Sequence, residues 1–334
     1  MNPTTSDAEV AAERLAEFYE PVADEMRLVE SRLRKEMQSR YPFVDELVRY
    51  GCMLGGKRLR PALLLLTAKA CGEVREEHIV LATVLEMIHT ATLVHDDVLD
   101  RAEQRRRLAT VNSRWDNEAS ILLGDFLFSH AFFLASTTGD AFACREIGLS
   151  TNRVCEGEIR QKGSRGQYDL AEDEYLNIID AKTAELCACA CHLGAHYAGA
   201  TADVVEQMTH FGRELGIAFQ IADDLLDLYG NEDDIGKSLG TDLDQRLLTL
   251  PTIYTLREST VEDRGRLLSA MQEESPELHS LLFDAFSRYD AVAYTRRRGD
   301  EYVAKAIRRL SPLSDSPAKS VLDRIARFVV DRSF

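Results

Sequence analysis

Two matching acidic turns, each closing a long apolar stretch, restrict this chain more than any other feature. The first stretch runs from Glu86 through His89, Ala91, Thr92 and His95 to Asp96, Asp97 and Asp100. The second runs from Phe219 and Gln220 to Asp223, Asp224 and Asp227, 223 − 96 = 127 residues later. At about 3.6 residues per helical turn, Asp96 and Asp100 share a face, and His89 and Thr92 lie on the same stripe toward the N-terminus. Like charges four residues apart cost an isolated helix about 0.2–0.5 kcal/mol. Burying unpaired carboxylates costs several kcal/mol per ion. The turns must therefore face water or meet cations. One such turn reads equally well as a solvated helix end, but two on long apolar helices do not read as solubility devices. Hard divalent ions that keep some waters and also hold phosphate oxygens suit them.

Basic residues gather in two places that match an anionic guest. Gly55 and Gly56 free the backbone ahead of Lys57, Arg58, Arg60 and Pro61. Pro61 can occupy the first turn of the apolar helix Ala62 to Cys71, which Gly72 ends. Lys57 and Arg60 then stand at a helix N-terminus, where backbone N–H groups and the dipole already favour an anion. A phosphate or diphosphate fits a guanidinium fork and a mobile ammonium. Arg105, Arg106 and Arg107 follow the first aspartates by one or two turns and can complete a diphosphate site begun by metals.

The net charge of −16 argues against nucleic acid and against attraction to anionic lipid. Charge or histidine interrupts the apolar runs, so no transmembrane segment is expected. The polar, acidic N-terminus lacks a secretory pattern, which makes the cytoplasm the default location. Seven cysteines form an odd set without framework spacing, as reduced thiols do. Cys187, Cys189 and Cys191 invite a metal reading, but only Cys187 and Cys191 share a helical face, and packing is the better account.

Residues 1–40 are rich in Glu, Arg and Ala with helical periodicity and read as peripheral N-terminal helices. Glu118 to Ser136 is a further apolar helix, with Phe128 and Phe132 four residues apart. Asp180 opens a helix of small residues carrying Lys182 and Thr183. After the second acidic helix, Val204 to Tyr229, the stretch Gly230 to Leu250 with Lys237, Asp242 and Arg246 reads as a lid or ligand loop. No strand-period segment stands out. No composition break or linker divides the chain, so 1–334 is read as a single all-α domain, a large bundle of about ten or more helices.

In order and spacing these motifs resemble the trans-isoprenyl diphosphate synthase (polyprenyl synthetase) family. The resemblance rests on Gly56-Lys57-Arg58-Leu59-Arg60-Pro61, on Asp96, Asp97 and Asp100 with Arg105 and Arg106, on Lys182-Thr183, and on Phe219-Gln220 with Asp223, Asp224 and Asp227. Gly236-Lys237 through Asp242 and Thr249-Leu250-Pro251 extend it over roughly residues 40 to 334. It implies the isoprenoid-synthase bundle with a central cavity. It implies two or three magnesium ions held by Asp96, Asp100 and Asp223, with Asp97, Asp224 and Asp227 in support. Arg105, Lys182 and Lys237 are then expected on the allylic diphosphate. Lys57, Arg60, His89 and Arg106 are expected around isopentenyl diphosphate, and Thr183 and Gln220 near the allylic cation. The resemblance also implies a homodimer, with transient membrane contact for product release. Two departures stand out: Arg107 replaces the family's usual Gly, and Gln245-Arg246 replaces its Gly-Lys.

Small residues at Ala91 and Thr92, where short-chain members typically carry an aromatic, imply a long-chain product. Leu85 lies further down the same stripe, and Phe128 or Phe132 is a candidate floor of the tunnel. The alternatives are a short-chain (farnesyl or geranylgeranyl) synthase and a non-catalytic subunit of a heteromeric synthase. A phosphohydrolase using His89, His95 and Asp96 leaves the Lys57–Arg60 motif without a role. A terpene cyclase would not need a second diphosphate pocket.

Overall fold

The computed structural model describes residues 18–53, 56–105, 108–229, 243, 245–273 and 275–330. A 3₁₀ turn at Glu20–Val22 leads into α1 (Ala23–Glu36), α2 (Pro42–Met53), α3 (Leu59–Cys71) and α4 (Glu76–Leu99). A small hairpin follows, β1 (Gln104–Arg105) and β2 (Leu108–Ala109), then α5 (Val111–Arg114), α6 (Asn117–Ala135) and α7 (Phe142–Gly163). Next come α8 (Glu172–Ile179), a π-helical turn (Asp180–Ala184), α9 (Glu185–Tyr197) and α10 (Ala202–Tyr229). The chain closes with α11 (Leu250–Glu258), α12 (Val261–Gln272), α13 (Leu278–Arg288), α14 (Ala291–Arg309) and α15 (Pro317–Val330). The all-α expectation holds. The hairpin, with Gln104 opposite Ala109, departs from the expected absence of strands. Two residues per strand are too few to show a period of two.

Helix α4 is buried on most sides and packs against α1, α3 and α6. A helix that is apolar all round belongs in a core, and this one carries the first acidic turn at its C-terminal end. Helix α3 packs on α4 and α9, and α9 lies along α10. Leu63, Leu64, Leu65, Leu81, Leu85 and Ile88 are fully buried in the main apolar cluster. A second cluster joins Tyr175, Ile179, Ile217, Ile221 and Leu228 to α11, α12 and α13. Helix α10 thus crosses both clusters and brings the second acidic turn between them. The described part of the N-terminal region packs on the body, with Val22 and Val29 wholly buried.

By length and composition two helices, Glu76–Leu99 and the Asn117–Thr138 stretch, could cross a membrane, so charge and histidine interrupt the apolar runs less than the sequence suggested. In the first, 78% of the most apolar window lies inside the protein, as in a core helix, against 44% in the second.

The three clustered cysteines of α9 are buried packing residues, as expected. Burial pushes the Cys189 thiol up to about 12, so it stays protonated at neutral pH. Small residues also let helices close on the π turn from both sides. A Cβ at Gly216 would stand 2.5 Å from Ala184 Cα, and one at Gly157 would stand 2.6 Å from the Lys182 backbone nitrogen. Gly216→Ala is therefore expected to destabilise the protein by about 1–3 kcal/mol, because a packed interior has no slack for an added methyl. Urea unfolding would show this as a lower midpoint with an unchanged slope, and an unchanged midpoint would contradict the close packing.

Candidate active site

The site is built around the C-terminal end of α4, where the helix dipole is negative and favours cations. Asp96 sits in the last turn, and Asp100 caps the helix by donating its backbone N–H to the Asp96 carbonyl. Burial pushes the Asp96 carboxyl up to about 7. Lys182 and Arg105 pull it down, while Glu158 and Asp100 push it further up. The Lys182 ammonium donates to Gln161 Oε1 at 2.7 Å and pairs with Glu158 Oε2 at 2.6 Å. Burial alone would lower its pKa, but Asp96 and Glu158 outweigh that and hold it raised.

The raised Asp96 pKa has a definite sign in the pH dependence of stability. The folded carboxyl keeps its proton up to about 7, whereas an unfolded Asp releases it near 4. Between those values the folded state binds more protons, so this group's contribution to stability falls as pH rises and has been lost above about 7. Asp96→Asn stays neutral throughout. In EDTA its melting temperature should rise relative to wild type between pH 5 and pH 8. A constant difference would show that Asp96 is not desolvated.

The other carboxylates of the two turns divide into open and enclosed. Asp223 and Asp227 are half-buried. Asp97 is only 1% exposed and accepts from Arg105 Nε at 2.8 Å. Asp224 is 4% exposed and accepts from Tyr175 Oη at 2.6 Å and from Gln220 Nε2 at 2.7 Å. Both are engaged from within the protein. Arg105, expected on a diphosphate, is held beside Asp96 by Asp97. Asp100 pairs with Arg165 at 3.1 Å, and Arg165 also donates to Gln245 Oε1 at 2.7 Å. The Gly166 N–H donates to the Arg246 carbonyl at 3.1 Å. The departing pair Gln245-Arg246 is thus tied to the first acidic turn, and Arg246 takes a left-handed backbone at φ 57°.

Lys182 and Thr183 both lie in the π turn, a geometry that recurs at functional sites. Thr183 Oγ1 donates to Gln220 Oε1 at 2.8 Å, which joins the π turn to the second acidic helix. Arg58 caps α3 in a left-handed conformation and ties it to Glu30 and to the buried Glu86, at 2.6 and 2.7 Å. This leaves Lys57 exposed and Arg60 half-buried. The Arg60 Nε is buried without a hydrogen-bond partner, a costly state that an anion's oxygen would relieve. Arg60 acts electrostatically on Cys187, four residues after Thr183, so the entry to α3 lies near the start of α9, which follows the π turn. His89 is half-buried, and its carbonyl accepts from Thr92 Oγ1 at 2.8 Å. Ala91 is fully buried in the core and Thr92 only half-buried. Phe128 lies tilted beside His95 with ring centroids 6.0 Å apart, and Phe132 lies against Gly148 of α7. Arg106, Arg107, Lys237 and Asp242 lie outside the described residues.

Sequence reasoning missed Tyr175, Arg165 and the pairing of Glu158 and Gln161 with Lys182. The three-residue spacing of Glu158 and Gln161, which puts both on one face of a helix, was the available signal. The π turn leaves no pattern in the sequence.

The donor set fits hard cations. It consists of carboxylate oxygens, one of them desolvated, with basic side chains nearby. Among the described residues, no three His, Cys, Asp or Glu side chains gather closely enough to hold an ion alone. A bound ion would complete its shell with waters and substrate oxygens, as magnesium typically does.

A family profile described as Polyprenyl synthetase matches residues 41–285. The chain belongs to the polyprenyl synthetase family. It is a prenyltransferase of isoprenoid biosynthesis. Octaprenyl diphosphate synthase of Escherichia coli (strain K12) is 33% identical over 319 residues, 95% of this chain and 99% of the relative. Heptaprenyl diphosphate synthase component 2 of Geobacillus stearothermophilus is 33% identical over 321 residues, 96% of this chain and all of the relative. Among solved structures, a decaprenyl diphosphate synthase from Rhodobacter capsulatus superposes with TM-score 0.89 at 34% identity, covering 95% of this chain and 99% of that one. A polyprenyl synthase from Caulobacter crescentus CB15, complexed with calcium and isoprenyl diphosphate, superposes with TM-score 0.87 at 31% identity, covering 96% and 97%. These polyprenyl synthetases share the all-α bundle described above.

Within that family reading, Lys57→Ala or Arg60→Ala is expected to raise the KM for isopentenyl diphosphate about tenfold or more and to leave that of the allylic primer nearly unchanged. Steady-state kinetics with each substrate varied in turn checks this. An equal loss for both would show one anion site where two are argued.

Proposed function

We propose that this prenyltransferase condenses isopentenyl diphosphate with an allylic prenyl diphosphate, in a magnesium-dependent reaction, to give an all-trans product longer than geranylgeranyl diphosphate. The observation that carries the reading is the Asp96 neighbourhood, a desolvated carboxylate at a helix C-terminus within the fields of Lys182 and Arg105. Two or three magnesium ions held by Asp96, Asp100 and Asp223 would supply Lewis-acid neutralisation of the departing diphosphate. Lys182 and Arg105, placed in advance by Glu158, Gln161 and Asp97, bind its oxygens without reorganisation at the moment of reaction. Lys57 and Arg60, with His89 and Arg106, hold isopentenyl diphosphate by its charged end. The allylic C–O bond breaks, the alkene forms the new C–C bond, and a proton passes to the departing diphosphate. The apolar walls of α4 and α6 exclude the water that would quench the cation.

Incubation with magnesium, isopentenyl diphosphate and an allylic primer, followed by product chromatography, tests the proposal. No chain growth would overturn it, and a product that stops at farnesyl or geranylgeranyl would overturn the long-chain part. The relative named component 2 favours a second reading in which turnover needs a different partner chain. Full turnover by the purified chain alone would exclude it.

A homodimer accounts for α6. Ile121, Leu122 and Phe133 on this apolar helix are 46%, 66% and 64% exposed, and a second copy covering that face removes them from water. We place the enzyme in the cytoplasm beside a membrane that takes up the product. Each CH₂ of a polyprenyl tail gains about 0.8 kcal/mol on leaving water.

A further inference from the structure

Four side chains form a continuous hydrogen-bonded line from the second apolar cluster to the π turn. Tyr175 Oη donates to Asp224 Oδ2 at 2.6 Å, Gln220 Nε2 donates to Asp224 Oδ1 at 2.7 Å, and Thr183 Oγ1 donates to Gln220 Oε1 at 2.8 Å. Tyr175 and Asp224 are each 4% exposed, while Gln220 and Thr183 are half-buried. The direction of each bond follows from chemistry. An ionised carboxylate only accepts, so Gln220 must turn its NH₂ to Asp224 and its oxygen to Thr183. Thr183 must then donate its single proton to Gln220 and keep its lone pairs for whatever faces it.

We propose that Tyr175 is a positioning residue that fixes the polarity of this line, so that Thr183 presents oxygen lone pairs rather than a proton to the allylic cation. The inference rests on the prenyl-transfer reading and adds to it the residue that orients the cation's neighbours. Tyr175 occupies one oxygen of Asp224 and leaves the other for the Gln220 amide. Without the phenol, the Asp224 carboxylate loses one of the partners that set its orientation, and the Gln220 amide is less firmly held. A reversed amide donates to Thr183 and turns the hydroxyl proton outward, where its positive end opposes a developing cation. Substrate binding at the diphosphate ends is unaffected.

The test is a double-mutant cycle between Tyr175→Phe and Thr183→Val. Tyr175→Phe keeps the ring and removes only the hydroxyl, and Thr183→Val removes the hydroxyl at the line's other end. Tyr175→Phe is expected to lower kcat about tenfold, the scale of one misdirected buried hydrogen bond, with both KM values unchanged. In the Thr183→Val background the same substitution should change kcat by less than about twofold. Gln220→Met, which interrupts the line in the middle, should likewise be non-additive with Tyr175→Phe. It serves as the second entry to the cycle with Thr183→Val if Tyr175→Phe does not fold. Equal losses in both backgrounds, or a rise in KM matching the fall in kcat, would overturn the proposal and leave Tyr175 a packing residue. Wild-type turnover is measured first. Its absence would overturn the prenyl-transfer reading and this inference together, whereas an active wild type with an additive cycle overturns this inference alone.

Discussion

Asp96→Ala should lower turnover by about 10³-fold or more while leaving helical circular dichroism intact. The carboxylate stands at the negative end of α4, and burial raises its pKa to about 7. Burial therefore disfavours its charged form, which a bound cation would favour. Removing it takes away an oxygen ligand for the charge that must neutralise a departing diphosphate. That neutralisation supplies several kcal/mol, and each 1.36 kcal/mol is about tenfold in rate. Asp223→Ala in the second turn should behave alike. Asp97→Ala provides the contrast. Asp97 is 1% exposed and paired with Arg105, and breaking a buried pair by removing one partner costs about 3–5 kcal/mol. That variant should lose stability as well as activity, whereas Asp96→Ala in EDTA should lose none. Wild-type turnover in either Asp96→Ala or Asp223→Ala would sink the mechanism. Equal destabilisation by Asp96→Ala and Asp97→Ala would show that the Asp97–Arg105 pair holds the fold no more than Asp96 does.

Thr92→Phe should shorten the product by several isoprene units while primer consumption continues. With the head of the allylic substrate held at Asp96 and Asp100, its tail must leave along the stripe of α4. Thr92 lies four residues back, about 6 Å along the axis, and it is half-buried where Ala91 is fully buried in the core. Thr92 is therefore the residue of the pair at which an added ring would meet the tail. Its hydroxyl is bonded to the His89 carbonyl, so its methyl rather than a polar group is left for an apolar guest. Leu85, fully buried two turns further down, continues the stripe. A ring added at position 92 enters a space with no slack and acts as a plug. Product chromatography of wild type and variant side by side decides the matter. An unchanged distribution would mean that the tail takes another path, and the Phe128 position beside His95 would then be the next wall to vary.

The sequence by itself determined the helices and the chemistry they carry. Periodicity is local, so α6 and α10 were legible to within a residue or two of their observed ends, and so were the two acidic turns and the glycine-to-proline entry to α3. What only the tertiary structure decided is how each charged group is partnered. Asp96 and Asp97 are neighbours in sequence, yet Asp96 is half-buried within the field of Lys182 while Asp97 is enclosed and paired with Arg105. A helix turns about 100° per residue, and burial on either side depends on which helices arrive there. Tyr175 and Asp224 are 49 residues apart, and Thr183 and Gln220 are 37 apart. No spacing rule reaches that far, because such pairs exist only once α8, the π turn and α10 have packed. The π turn belongs to the same class. It places Lys182 and Thr183 where they are because Gly157 and Gly216 let two helices close upon it, a condition set by non-local contact and invisible in the residues of the turn itself.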